Sequence, residues 1–237
     1  MKGMKSLHRW LVLSLLTIMT LTGCESVPKP VRNLGKSDID FVTDIHARQQ
    51  KALLEKLTRK LYVRNPRELA KANGKTVEAR MLEIFGEPGK LELPPLIFDE
   101  LDGKSGVDAI LLSFEEEYQG DRVFAAIAGL TEMLRRSYNY QQEFFMLDSL
   151  DEQALYNSAR NIEIFVWRLY HRRNEQGELL ILTNEFREDG YDISFDRIFA
   201  KMTQVQDNMA LIVSDKTDRG ITKVVQGVAQ MAFLPVP

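Results

Sequence analysis

Residues 149–172, SLDEQALYNSARNIEIFVWRLYHR, decide the fold that we expect for this chain. Ser149 and Glu152 have the spacing of a capping box, in which each side chain bonds the backbone of the other residue at a helix start. The residues that follow place apolar side chains at helical spacing on one face. These are Leu155, Ala159, Ile162, Phe165, Val166, Leu169 and Tyr170. The stretch therefore predicts a long amphipathic helix, which we expect at the centre of the domain.

The same helical spacing recurs on both sides of this stretch. Further helices are predicted over about 37–62, 66–71, 76–85, 105–118, 121–137, 194–212 and 218–233. The expected caps are Ser37 with Asp40, Thr76, Ser105 with Asp108, Asp121 and Ser194. Ala125, Ala126, Ala128 and Gly129 make one helix thin enough for a close neighbour. We expect a mostly α fold, a single compact and irregular domain of about six to eight helices, with room for one short strand or hairpin.

Apolar segments between the helices leave alternatives open. Residues 179–182, Leu-Leu-Ile-Leu, are either a short strand or a buried loop, because periodicity does not separate these. Residues 93–98, Leu-Pro-Pro-Leu-Ile-Phe, are either an extended docking segment or a loop folded back on the core, and we favour the loop. Residues 231–237 carry no charge, which predicts a packed chain end.

The N-terminus has the pattern of a bacterial export signal. Lys2, Lys5 and Arg9 precede an uncharged apolar run from Trp10 to Leu21. As a helix this run spans about 18 Å, too short for a hydrocarbon core of about 30 Å.

The end of this signal, Leu21-Thr22-Gly23-Cys24, resembles the lipobox of bacterial lipoproteins. The resemblance implies that the thiol of Cys24 takes a diacylglyceryl group, that the signal is cut before Cys24, and that the new amino end is acylated. The residue after the cysteine is Glu25 rather than aspartate, which in such proteins indicates the periplasmic face of the outer membrane. We therefore expect membrane attachment through an N-terminal lipid anchor.

This interpretation divides the chain into three parts. Residues 1–23 are the signal peptide, 24–36 the lipidated cysteine with a flexible tether, and 37–237 a helical periplasmic domain. A tether of this length reaches about 40 Å when extended. The folded part can therefore stand away from the membrane surface.

Composition excludes several classes of function. The chain has 31 basic and 34 acidic residues, and loss of the signal leaves 28 basic residues and a net charge of −6. An acidic protein lacks the basic footprint of a nucleic-acid partner. Cys24 is the single cysteine, so disulfides within the chain, cysteine zinc sites and thiol catalysis are excluded.

No local motif predicts catalysis, a metal or a cofactor. Glycine-rich phosphate loops and serine-hydrolase motifs are missing from the sequence. His46 is either a ligand or base, or a core histidine bonded to the backbone, and we favour the latter. Glu132 is either a catalytic acid or a surface glutamate, and we favour the surface. Met202 and Met209 are either a pliable binding surface or core filling, and we favour the core.

One candidate binding surface lies on the helix predicted from residue 149. An arc of about 120° opposite its apolar face contains Asn157, Arg160, Asn161, Ile164, Trp167, Arg168 and His171. The favoured interpretation is a solvated back face. The alternative is a groove for a ligand or partner that is part apolar and part anionic. The candidate binding residues are Asn157, Arg160, Asn161, Trp167, Arg168 and His171.

These patterns predict a non-catalytic helical binding or scaffold module of the cell envelope, with an envelope protein as partner. The alternative is a binder or hydrolase of a small envelope molecule, a lipid or a peptidoglycan fragment. A flat exposed patch would favour the first function, and a deep cavity with converging polar groups would favour the second.

Overall fold

The structure is a computed structural model that describes residues 36–89, 93–145, 150–184, 186–187, 190–222 and 232–237. These residues form seven α-helices, one 3-10 turn and one two-stranded antiparallel hairpin. The helices are α1 (Asp38–Arg64), α2 (Pro66–Ala70), α3 (Val77–Phe85), α4 (Gly106–Leu112), α5 (Arg122–Ser137), α6 (Glu152–His171) and α7 (Ser194–Thr217). The 3-10 turn covers Asp99–Leu101, and the hairpin pairs β1 (Phe186–Arg187) with β2 (Gly190–Tyr191).

The mostly α prediction is confirmed, and Ser37–Pro237 form one compact unit. The predicted signal, the lipobox with Cys24 and the tether up to residue 35 lie outside the described residues. Among the residues described, none of the helices combines the length and the apolar character that a membrane crossing requires.

Three predicted helix caps are confirmed. Ser37 and Asp40 form a reciprocal capping box at α1, with Ser37 N donating to Asp40 Oδ2 at 2.8 Å. Thr76 accepts from Ala79 N at the start of α3, and Asp121 accepts from the third residue of α5. Such caps satisfy backbone donors that have no partner inside the helix.

The other three predicted caps differ from the structure. Ser105 is the N-cap residue of α4, as predicted, but its side chain makes no cap hydrogen bond. Asp151 caps α6 by accepting from Ala154 N at 2.8 Å, so the helix begins at Glu152, and Ser149 is outside the described residues. Ser194 is the first residue of α7, and Asp192 accepts from its backbone N–H at 2.8 Å.

α4 ends at Leu112 rather than near Tyr118, because a buried cation binds the backbone beyond it. The Arg122 guanidinium donates to four carbonyl oxygens within 2.6–3.0 Å. They belong to Ser113, Glu115, Glu116 and Tyr118. These bonds satisfy the carbonyl groups outside a helix, so the acidic residues 115–117 lie in a loop.

The helix at the centre of the fold is α5, not the predicted helix at 150–172. Nearly all of α5 is buried, and it packs against α1, α2, α3, α4 and α6. Its small residues allow the close approach that the sequence predicted. A Cβ atom on Gly129 would lie 2.5 Å from the Gly106 carbonyl oxygen, so α4 touches α5 at this glycine. α6 pairs mainly with α7.

The two apolar segments fold onto the core. Leu96 is buried and the Phe98 ring packs edge-on against Phe124 at 4.8 Å, which confirms the loop interpretation of residues 93–98. Residues 179–182 are a partly buried loop that begins with an isolated antiparallel bridge between Leu179 and Arg173, and the Asn65 side chain ties this loop to α1 and α2. That amide donates to Leu182 O at 2.8 Å and accepts from Leu182 N at 2.7 Å.

The C-terminal region agrees only in part with the prediction. α7 ends at Thr217, Asp218 has a left-handed backbone, and residues 219–222 are not helical. The rest of the predicted helix up to residue 231 lies outside the described residues. Val236 is buried, which confirms a packed chain end, and the buried Met202 and Met209 confirm core filling.

Candidate functional site

Two residues of the predicted binding arc hold the end of the chain. Asn161 has no exposed surface; its side chain donates to Leu234 O at 2.8 Å and accepts from Leu234 N at 2.7 Å. Asn157 donates to Pro235 O at 2.8 Å. The solvated interpretation is wrong for both residues and for the buried Ile164. The arc forms a groove at this position, and the chain's own C-terminal segment occupies it.

Arg160 serves to join α6 to α7. Its guanidinium donates twice to Asp207, at 2.9 and 2.7 Å, and lies 3.3 Å from Glu163. Burial nevertheless raises the pKa of the Asp207 carboxyl above its ordinary value, and Arg160 opposes that rise. An ion pair of this kind fixes the relative position of α6 and α7. The Arg160 guanidinium is therefore already bonded to a carboxylate within the folded protein.

The remaining arc residues lie toward the C-terminal end of α6. The Arg168 guanidinium lies 5.2 Å from the centre of the Phe233 ring, and burial lowers its pKa. Trp167 and His171 stack with ring centres 4.5 Å apart, and His171 Nδ1 lies 2.7 Å from Trp167 O. The six predicted residues therefore do not converge on one site. Two asparagines bind the C-terminal segment, Arg160 forms an ion pair, and the other three residues lie toward the C-terminal end of α6.

A different place combines a hollow with converging polar groups: a cleft between α1, α3, α5 and the segment 93–98. Its inner part is a cavity of about 90 Å³. Leu54, Phe85 and Leu134 give this cavity an apolar floor. A second hollow of about 460 Å³ adjoins it and shares Leu93, Arg135 and Gln142 with it. We call the two hollows together the α1–α5 cleft.

Three cations line the inner cavity: Arg48 and Lys51 from α1 and Arg135 from α5. Arg48 is exposed, and Lys51 Nζ donates to Phe85 O at 3.2 Å. Among the described residues that line this cavity, there is no aspartate or glutamate. The inner cavity therefore has an excess of positive charge.

Arg135 is the most deeply placed of these cations. It donates to Pro94 O at 2.8 Å and to Ile84 O at 2.5 Å, so its hydrogen bonds within the described chain go to neutral carbonyls. Burial lowers the pKa of its guanidinium to about 10, and the charge of Glu132 opposes this. The burial of a cation without a bonded carboxylate favours an anion as neighbour.

Two buried polar side chains also face this cavity. Gln50 donates weakly to Met202 O at 3.5 Å, and its Oε1 has no hydrogen-bond partner among the described residues. The hydroxyl of Thr131 is likewise without a partner in that part of the chain. A buried polar atom left unbonded costs about 1–3 kcal/mol, so both side chains would gain from a bonding partner.

The other residues singled out by the sequence have structural contacts. His46 Nδ1 lies 2.8 Å from Val42 O, as expected for a histidine bonded to the backbone. Glu132 is largely buried, contrary to the expected surface position, and accepts from Tyr140 Oη at 2.6 Å. Across the described chain, three or more histidine or carboxylate side chains nowhere cluster as metal ligands would.

One feature of the sequence indicates part of the cleft. Arg48 and Lys51 stand three residues apart, the spacing that places two side chains on one helix face. That they share a cavity with Arg135 depends on how α1 packs against α5, which no local pattern states. No family model, curated protein sequence or solved structure matches this chain.

Proposed function

We propose that this chain is a lipoprotein anchored through Cys24 at the periplasmic face of the outer membrane, and that its helical domain is a non-catalytic binding module. The export signal, the lipobox resemblance and Glu25 support the anchor and its membrane. The α1–α5 cleft supports binding, since its polar groups converge on a hollow with an apolar floor.

The same cleft favours a small envelope molecule over a protein as the binding partner. Gln50, Thr131 and Arg135 are polar residues that line one small cavity with an apolar floor, which is typical of ligand sites. A flat protein interface would need no such pocket. The buried position of Gln50 and Thr131 carries this choice.

A protein partner is the second candidate, and one observation supports it. Ile97 is 68% exposed and Tyr140 is 50% exposed, and both line the outer hollow. Exposed apolar and aromatic side chains beside a groove are typical of protein interfaces. In this case the domain would act as a scaffold that captures an envelope protein.

Site-specific crosslinking in the native envelope tests this choice. A photoreactive residue replaces Gln142 at the cleft and, as a control, the exposed Lys56 on α1. We expect adducts of small mass at position 142 and none at position 56, as measured by mass spectrometry of the purified protein. A protein-sized adduct at position 142 would favour the scaffold, and equal adducts at both positions would contradict the cleft.

The anchor has its own test. We expect Cys24→Ala to move the protein out of the membrane fraction or to leave it unprocessed, because the acyl chains supply the membrane attachment. Fractionation with immunoblotting measures this. A mature-length variant that still fractionates with the outer membrane would contradict the lipobox interpretation.

A further inference from the structure

We propose that the α1–α5 cleft binds an anionic amphiphile, a molecule with a carboxylate or phosphate head and a short unbranched apolar chain. This inference deepens the proposed function and rests on it, because it names the ligand class of the same site. The head would lie among Arg48, Lys51 and Arg135 in the inner cavity, and the chain along the adjoining outer hollow.

The charge of the inner cavity selects the head group. Its three cations come from two helices and face one hollow, while the described part of its lining contains no carboxylate. Hydrogen bonds between guanidinium or ammonium groups and anionic oxygens are about twice as strong as bonds between neutral groups. A cationic ligand would be repelled, and a neutral one would leave the burial of Arg135 uncompensated.

The acid nearest to Arg135 in sequence does not form a hydrogen bond with it. Glu132, the acid nearest to Arg135 in sequence, accepts from Tyr140 and lies 3.9 Å from Arg136. It borders the outer hollow and not the inner cavity. The inner and outer parts of the cleft therefore differ in charge, and the anionic head belongs to the inner part.

The size and lining of the cleft select the rest of the ligand. A cavity of about 150 Å³ holds a benzene molecule, so the inner cavity of about 90 Å³ takes a head group and little more. The adjoining hollow of about 460 Å³ begins at Leu93 and continues along Leu96 and Ile97. An unbranched chain fits this course, because each buried methylene adds to binding without a specific partner.

Calorimetric titration of the full-length protein in amphipol, with empty amphipol as reference, tests the ligand class. The probes are octanoate, octyl phosphate, octanol, octylammonium, acetate and inorganic phosphate. We expect octanoate or octyl phosphate to bind at least about tenfold more tightly than octanol or octylammonium, as charge-assisted bonds predict. Acetate and inorganic phosphate should bind at least about tenfold more weakly than their octyl counterparts, because they lack the chain.

Three variants assign this selectivity to the cleft. Arg48→Gln and Lys51→Gln should each weaken octanoate binding by about tenfold and leave octanol unchanged. Lys56→Gln is the matched control, since Lys56 is exposed on the same helix and does not line the cavity. Arg48 and Lys51 are suitable because neither is buried, so the folded protein should tolerate their change.

Each outcome decides the inference. Equal binding of octanol and octanoate would overturn the anionic head. Full octanoate affinity in both Arg48→Gln and Lys51→Gln would overturn it as well. Equal binding of inorganic phosphate and octyl phosphate would overturn the amphiphile. If no probe binds, the ligand class is wrong, and the crosslink at position 142 then decides the proposed function separately because it requires no probe.

Discussion

Two arginines that both contact α3, Arg80 within it and Arg135 through the Ile84 carbonyl, are paired in opposite ways. Arg80 on α3 has no exposed surface and donates to Glu83 at 3.0 Å and to Glu100 at 2.6 and 2.8 Å. Its Nε lies 3.4 Å from Asp121, and its guanidinium lies 3.8 Å from the centre of the Phe124 ring. Arg135 on α5 bonds two neutral carbonyls and lines a cavity.

The difference shows how a structural cation is told from a binding cation. Burial lowers the pKa of both guanidinium groups, but the hydrogen bonds that Arg80 donates to Glu100 and Glu83 outweigh this effect, and the pKa of Arg80 is raised. No such reversal occurs for Arg135, whose pKa stays lowered. The charge of Arg80 is compensated inside the fold, whereas that of Arg135 is suited to an anion from outside.

The largest expected effect on stability comes from replacing Arg80. Arg80→Met should lower the free energy of unfolding by about 3–5 kcal/mol, because it leaves Asp121 and Glu100 without their buried partner. Urea unfolding followed by circular dichroism measures this. The exposed Arg59, 3.5 Å from Glu78, is the control, and Arg59→Met should cost at most about 1 kcal/mol. Equal costs would contradict the structural role of Arg80.

Arg135→Met should cost less, about 1–3 kcal/mol, because two carbonyl oxygens lose a donor and no carboxylate is left unpaired. The same urea unfolding measures this change. A cost as large as that of Arg80→Met would show that Arg135 is also a structural cation, and would remove the contrast between the two arginines.

A smaller effect concerns stability in acid, through the Glu100 carboxyl that Arg80 binds. Hydrogen bonds from Arg80 lower the pKa of the Glu100 carboxyl, with burial opposing. A lowered pKa contributes stability that is present above the ordinary value of about 4.5 and is lost as the pH falls through the folded value. Glu100→Gln should therefore flatten the fall in unfolding free energy below about pH 4.5.

Urea unfolding at several pH values measures this slope. From pH 5 to 7 the difference between wild type and Glu100→Gln should be constant. Asp121 contributes with the opposite sign, since burial raises its pKa, but it is present in both proteins. Parallel curves below pH 4.5 would contradict the pairing of Glu100.

The smallest effect is expected at Thr131 in the cleft. Thr131→Val keeps the shape of the side chain and removes a buried hydroxyl that has no partner among the described residues. The free energy of unfolding should stay the same or rise by up to about 1 kcal/mol. A loss of more than about 1 kcal/mol would show that the hydroxyl makes a structural bond.

Local rules explain which parts of the fold the sequence could predict. The capping box of Ser37 and Asp40 lies within four residues, and its pattern is visible directly. The early end of α4 was missed because Arg122 binds the carbonyls of a loop several residues away. The apolar Ile45 of α1 is 53% exposed, whereas its neighbour Asp44 is buried and its carboxylate accepts from Phe144 N at 2.9 Å.

The candidate site also depends on contacts beyond the local sequence, and these span longer distances along the chain. Asn161 looks like a surface residue by its position opposite the apolar face, yet Leu234, 73 positions later, pairs with it. The cleft needs α1 and α5 to meet, which helical periodicity does not state. The burial of Asn161 and the position of the cleft both depend on side chains whose partners are distant in sequence.

The contrast between the two arginines is tested most directly by the melting temperature with and without octanoate at about one hundred times its dissociation constant. Linkage then adds about 2.7 kcal/mol to wild type, a rise of about 5–10 °C for a domain of this size. We predict this rise for wild type and for Arg80→Lys, which keeps the charge. For Arg135→Met, an expected loss of affinity of about tenfold leaves about 1.4 kcal/mol of linkage, a rise of only about 3–6 °C. An equal rise in Arg135→Met would contradict the assignment of Arg135 as the binding cation.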